Sequence, residues 1–249
     1  MHQVYARFRV PSTINLHDPY ARVVNDAQAR RGGPVANAIR EAGLVIVLRR
    51  VAPRQRLLDL VDELAAAGGR IFEITLDGDD APADLAAVRK ALAAGSGGDV
   101  FVGAGTVRTV RQVESAVDAG AAFGVSPVFD PPVLAAAIDA GLPFVPGAYT
   151  PTEADAAWRA GATFVKLFPG SSLGPSHVRE LRGPLPEVET VVTGGVDATN
   201  AIGFLEAGAV AVGIGSAIVR ATPDGRRALI QAIRDAVAAF TTPATAARR

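Results

Sequence analysis

The stretch LVIVLRRVAP, residues 44–53, decides the fold. Its first five residues are apolar and rich in β-branching, which predicts a strand buried on both faces, as in a parallel sheet. A doubly wound α/β sheet that binds a dinucleotide usually carries its glycine-rich turn directly after such a first strand. Here no glycine follows, and the glycine-rich turns come at the far end of the chain, as Thr193-Gly194-Gly195 and Gly213-Ile214-Gly215-Ser216. That order favours a closed (β/α)8 barrel over an open sheet.

Outward from residues 44–48 the same alternation repeats. Short apolar runs appear as RIFEITL (70–76), VFVGA (100–104), AFGVS (122–126), PFVPG (143–147), TFVKLF (163–168), ETVVTGG (189–195) and VAVGIG (210–215). Between them lie segments of helical period, such as RQRLLDLVDELAAAG closed by Gly68 and TVRQVESAVDAG closed by Gly120. Eight strand–helix units from residue 44 onward give a TIM barrel, expected over 44–240. Residues 1–43 hold two candidate helices, PYARVVNDAQ and PVANAIREAG, expected as a helical extension that caps the barrel bottom or meets a neighbouring subunit. Residues 241–249 are expected to be a frayed tail.

The 249 residues carry 25 basic and 25 acidic side chains, so no net field favours nucleic acid or an anionic membrane. A hydrophobic share of 49% excludes a disordered or collagen-like chain. The absence of cysteine excludes disulfides, thiolate catalysis and cysteine zinc sites. With no signal-peptide run and no stretch approaching 18 apolar residues, a cytoplasmic protein is expected.

Only two of the 25 basic residues are lysine, Lys90 and Lys166. Lys90 sits in a helical pattern and reads as a surface charge. Lys166 sits inside the strand TFVKLF, where an ammonium group has no place unless it serves chemistry or a structural pair. A desolvated lysine, unlike arginine, can lose its proton near neutrality and act as a Schiff-base nucleophile. Glu73 is equally out of place in RIFEITL. Alternation sets Ile71, Glu73 and Thr75 on one face and Phe72, Ile74 and Leu76 on the other, so the apolar set meets the helices and Glu73 points into the barrel, as Lys166 does with Phe164 and Phe168. A buried ion pair of purely structural use predicts the same placement.

The two late glycine turns lie where barrels commonly hold phosphate, and Ser216 can add a hydroxyl. Thr106, after Gly103-Ala104-Gly105, and Arg49 stand at strand ends on the same face, where each could meet a carboxylate or carbonyl oxygen. Asp77, Asp79 and Asp80 read as a turn and helix cap, or else as a hard-cation site. Of His2, His17 and His177 only the last falls near these segments, and no pair has the spacing of zinc ligands.

FEITL, VGAGTV, VSP, PFVPG, FVKLFPGSSLGP, TGGV and GIGS, in this order between residues 40 and 220, resemble the 2-keto-3-deoxy-6-phosphogluconate aldolase family. That family includes 4-hydroxy-2-oxoglutarate aldolase and 2-dehydro-3-deoxy-6-phosphogalactonate aldolase. The resemblance implies a class I aldolase on a (β/α)8 barrel, a homotrimer without organic cofactor or metal, acting on a phosphorylated keto acid. It also implies roles: Lys166 as Schiff-base lysine, Glu73 as acid and base, Thr106 as a contact to the pyruvate moiety, and Pro127 and Phe168 as apolar walls. Gly194, Gly195, Gly215 and Ser216 fall at the phosphate site, and Arg49 matches an arginine of the phosphogalactonate branch. One departure stands out. Gluconate-type members carry a carboxylate-binding arginine directly after the second strand, where this chain has Asp77, which leaves Arg49 and Thr106 to hold that group. The rival readings are a phosphosugar isomerase or epimerase using Glu73 alone, a metal-assisted aldolase, and a non-catalytic sugar-phosphate binder.

Overall fold

A computed structural model describes residues 27–78, 80–95 and 100–241. In chain order the elements are α1 (Pro34–Ala42), β1 (Leu44–Leu48), α2 (Arg54–Ala66), β2 (Ile71–Thr75), α3 (Ala81–Gly95), β3 (Phe101–Gly105), α4 (Val110–Asp118), β4 (Gly124–Val125), α5 (Pro131–Asp139), β5 (Phe144–Val145), β6 (Gly147–Ala148), α6 (Pro151–Arg159), β7 (Val165–Leu167), α7 (Gly170–Arg182), β8 (Thr190–Thr193), α8 (Ala201–Glu206), β9 (Ala211–Ile214), α9 (Ser216–Arg220) and α10 (Pro223–Thr241). The candidate helix PYARVVNDAQ and the tail 242–249 lie largely or wholly outside the described residues.

All strand pairs are parallel, in the order β5-β4-β3-β2-β1-β9-β8-β7-β6. The two ends of that order, β5 and β6, are consecutive dipeptides separated by Pro146, so the sheet closes on itself through one stretch of chain. Eight apolar runs therefore become nine strand segments. Proline has no N–H to give to a ladder, but the Pro146 carbonyl still accepts a 2.8 Å bond from the Lys166 N–H and keeps the rim joined.

Local sequence sets the helix starts. The hydroxyl of Thr109 accepts from the Gln112 N–H ahead of α4, Asp130 accepts from the Val133 N–H ahead of α5, and Thr150 with Glu153 forms a capping box on α6. The core has two layers. Phe72, Ile74, Leu44, Ile46 and Leu48 face the helices, while Val45, Ile71, Phe123, Val125, Val145, Phe164 and Val191 fill the lumen.

Val35, Ala36 and Ile39 of α1 join the lumen layer, so the second N-terminal helix plugs the barrel bottom. Full burial of Ile39 and its aromatic neighbours is worth about 1.5–3 kcal/mol per side chain. Polar contacts fix the plug. Arg40 pairs with both Glu189 oxygens at 2.7 and 2.5 Å, and Arg31 stacks 3.4 Å above the Trp158 ring while donating to the carbonyls of Trp158 and Ala162. With the bottom plugged, the lumen among the described residues opens at the carboxyl ends of the strands.

Candidate active site

Alternation along β2 carries Glu73 into the lumen between Ile71 and Thr75, in register with Val47 of β1 and Gly103 of β3. On the opposite wall β7 carries Lys166 inward, in register with Gly147 and Val191. Glu73 is 1% exposed and Lys166 7%. Both line a cavity of about 630 Å³ that opens at the strand ends, and both also line the small void beneath it with Ile39, Val125 and Val145. The amine and the carboxyl thus share one floor.

Two glycines make room for them. A Cβ on Gly105 would overlap the Glu73 carboxyl oxygen, and one on Gly103 would meet the Phe123 ring at 2.5 Å. The side-chain-free surface of β3 is what lets Glu73 lie across it.

Burial dominates the titration of both groups. Desolvation pushes the Glu73 carboxyl above its ordinary value, opposed by the charges of Lys166 and Arg49 and reinforced by that of Asp77. Desolvation pulls the Lys166 amine below its ordinary value, with Arg49 adding to the fall and Glu73 opposing it. Desolvation thus shifts both toward their uncharged forms, the direction that a lysine nucleophile requires.

Around the floor stand the other eight residues singled out from sequence: Arg49, Thr106, Pro127, Phe168, Gly194, Gly195, Gly215 and Ser216 all line the same cavity. Arg49 donates from Nη2 to the Thr106 hydroxyl at 3.0 Å. Thr106 has φ +58°, an unusual conformation for a β-branched residue that turns its side chain toward the arginine and the cavity. Across the mouth, Gly194 and Gly195 have φ +85° and +73°, and a Cβ on Gly194 would press on the Phe168 ring at 2.8 Å.

Several polar lining residues were not singled out from sequence. Thr75 and Thr193 are 3% and 4% exposed, and their hydroxyls have no hydrogen-bond partner among the described residues. Strand alternation could have found Thr75, which shares the face of Glu73. Arg220 donates to the Ser216 hydroxyl at 3.2 Å from one helical turn away; the spacing of four between them was the available signal. Asp197 also reaches the rim, with its carboxylate engaged by the hydroxyl and N–H of Thr199.

The remaining candidates fall elsewhere. Lys90 is exposed on α3. Asp77 faces Arg49 and Arg50, and Asp80 with Asp84 faces Arg54, while Asp79, His2 and His17 lie outside the described residues. Among the described residues no three His, Asp or Glu side chains gather closely enough to hold a metal ion. His177, on α7, is not among the cavity residues.

A sealed parallel barrel with a desolvated amine and carboxyl on the floor of its one mouth is the layout of a barrel enzyme of small-molecule chemistry. The chain belongs to the KDPG and KHG aldolase family, whose model matches residues 35–232, and is accordingly an aldehyde-lyase. It is 36% identical over 181 residues to the probable 2-dehydro-3-deoxy-6-phosphogalactonate aldolase of Rhizobium meliloti (strain 1021), covering 72% of this chain and 83% of that one. It is 38% identical over 157 residues to the 2-dehydro-3-deoxy-phosphogluconate aldolase of Treponema pallidum (strain Nichols), covering 63% and 71%. Among solved structures, KDPG aldolase from Legionella pneumophila, with pyruvate captured at low pH as a covalent carbinolamine intermediate, superposes with a TM-score of 0.70 at 27% identity, covering 83% of this chain and 98% of that one.

Proposed function

We propose that this protein is a class I aldolase that cleaves a 2-keto-3-deoxy-6-phospho sugar acid, of gluconate or galactonate type, to pyruvate and glyceraldehyde 3-phosphate. The observation that carries the reading is Lys166, a buried amine held toward its neutral form beside buried Glu73 on the cavity floor. The covalent pyruvate adduct named for the Legionella pneumophila relative supports the same chemistry.

The Lys166 amine attacks the C2 ketone to give a carbinolamine; the Glu73 carboxyl gives up its proton as the carbinolamine hydroxyl leaves as water, which forms the iminium and leaves Glu73 as the carboxylate. Glu73 takes the proton of the C4 hydroxyl as the C3–C4 bond breaks. The bonding pair passes into the iminium, leaving an enamine, and the aldehyde departs. Glu73 returns its proton to C3, and water hydrolyses the pyruvate imine to free the lysine. No organic cofactor or metal enters these steps. Arg49 and Thr106 hold the substrate carboxylate at one side of the mouth. Gly194, Gly195, Gly215, Ser216 and Arg220 hold the phosphate at the other, so that binding far from the reacting bond orients it. Pro127 and Phe168 form the apolar walls between. The family resemblance supports a homotrimer, and the sequence pattern supports a cytoplasmic protein with residues 44–240 as its catalytic unit and 1–43 as an extension.

Relatives of both sugar types lie at similar identity, so the configuration at C4 is a matter for assay. The protein is incubated with each phospho keto acid, and release of pyruvate and of the aldehyde is followed separately. Release of both in equal amounts from at least one substrate, abolished in Lys166→Arg, is the expected result. Isomerised or epimerised substrate without pyruvate would overturn the reading in favour of a cofactor-free isomerase.

A further inference from the structure

Three neighbouring strands end in one corner of the mouth. β1 runs into Arg49 and Arg50, β2 into Asp77, and β3 into Thr106. The only two non-glycine residues with positive φ among the described residues, Arg50 at +50° and Thr106 at +58°, both stand in this corner, which marks it as built under strain. Asp77 lies between them. Its Oδ2 is 3.4 Å from Nε of Arg49 and 3.5 Å from Nε of Arg50, and its main-chain oxygen accepts from Arg50 Nε at 3.0 Å. Its other carboxylate oxygen is buried without a hydrogen-bond partner.

The guanidinium of Arg49 is therefore held at two of its nitrogens, by the charge of the Asp77 carboxylate at Nε and by the Thr106 hydroxyl at Nη2. Arginine presents its donors in a rigid planar fork, so contacts at Nε and Nη2 orient the whole group. An arginine side chain 58% exposed would otherwise sample many rotamers.

We propose that Asp77 is a positioning residue, which acts through Arg49 by locking its guanidinium in the orientation that receives the substrate carboxylate. The inference rests on the aldolase reading above. Asp77 touches no reacting atom. Its negative charge also bears on Glu73, which is faced by Lys166 from β7, by Arg49 from β1 and by Asp77 at the end of its own strand, while β3 opposes it only with glycine. Of these charges Asp77 is the one that raises the carboxyl.

The test is steady-state kinetics on Asp77→Asn, Asp77→Glu and Arg49→Ala, and on the double variant Asp77→Asn/Arg49→Ala, each checked for a cooperative melt. Asp77→Asn is expected to raise KM for the phospho keto acid about ten- to a hundredfold, the scale of a misplaced binding group, while inhibition by inorganic phosphate stays at wild-type strength. It also shifts the acidic limb of kcat/KM to lower pH, because the charge that raised Glu73 is gone. Asp77→Glu keeps the charge, so its acidic limb stays in place while KM rises by a smaller factor. In the Arg49→Ala background Asp77→Asn adds no further loss.

A wild-type KM in both Asp77 variants, or a full additional loss in the double variant, overturns the proposal. If Asp77→Asn does not fold, Asp77→Glu and Arg49→Ala decide, since a rise in KM confined to Arg49→Ala counts against Asp77. Failure of the aldolase reading is seen separately, as absence of cleavage by the wild-type protein.

Discussion

Gly105→Ala is a one-methyl perturbation aimed at the catalytic geometry. The added Cβ would lie 2.6 Å from both Cγ and Cδ of Glu73 and closer still to one carboxyl oxygen, whereas ordinary contact begins near 3.4 Å. Glu73 is 1% exposed and lies against Val47, Lys166 and the lumen layer, with the substrate cavity as the space left to it. Its Cγ and Cδ must retreat by about 0.8 Å and its carboxyl oxygen by more, or β3 must shift instead, and overpacking of this kind costs about 1–3 kcal/mol. A displacement near 1 Å at a catalytic group costs on the order of a hundredfold in rate.

Gly103→Ala provides the control. Its Cβ meets the Phe123 ring at 2.5 Å, a comparable insult to the lumen whose nearest contacts are on that ring rather than on Glu73. Both variants should lose similar stability in denaturant titrations, while kcat, followed by pyruvate release, should fall about a hundredfold in Gly105→Ala and less than tenfold in Gly103→Ala. Wild-type kcat in Gly105→Ala, or equal losses in the two, would refute the placement of Glu73 as the group that moves the proton.

Ser216→Ala and Arg220→Ala should each raise KM for the phosphorylated substrate several-fold, with little effect on adduct formation from pyruvate, which carries no phosphate; a competition assay with inorganic phosphate checks it. Lys166→Met should melt higher than the wild type at neutral pH, because a folded-state amine pKa below 10.5 means that charging the group opposes folding. That advantage should shrink as pH rises through the depressed folded pKa toward 10.5, read from melts across pH. Glu73→Gln has the opposite slope. The raised carboxyl favours the fold below about 4.5 and loses that contribution as pH climbs to its folded value, so the stability of the variant relative to the wild type should grow over that interval.

The barrel and its floor were legible because both break a simple rule. A charged residue in an apolar strand is costly, so Glu73 and Lys166 stand out, and the period of two sends both to the same interior. The corner beside Arg49 was less legible. Strand order makes residues 49, 77 and 106 neighbours, but their contacts depend on two positive-φ backbones that no local propensity demands of Arg50 or Thr106. Asp77 read as a turn or cation ligand because, in one dimension, its partners Arg49 and Arg50 lie almost thirty residues upstream. The division of one expected strand at Pro146 likewise depends on which neighbour each half pairs with. Thr193 was hidden inside a turn read for its glycines.

The most direct test is to incubate the protein with pyruvate and sodium borohydride and to map the product by peptide mass. An irreversible pyruvate adduct on Lys166, absent in Lys166→Arg and absent when borohydride is omitted, is the predicted result. A folded protein that forms no adduct under active borohydride, or forms it on Lys90, would contradict Schiff-base catalysis at the barrel floor.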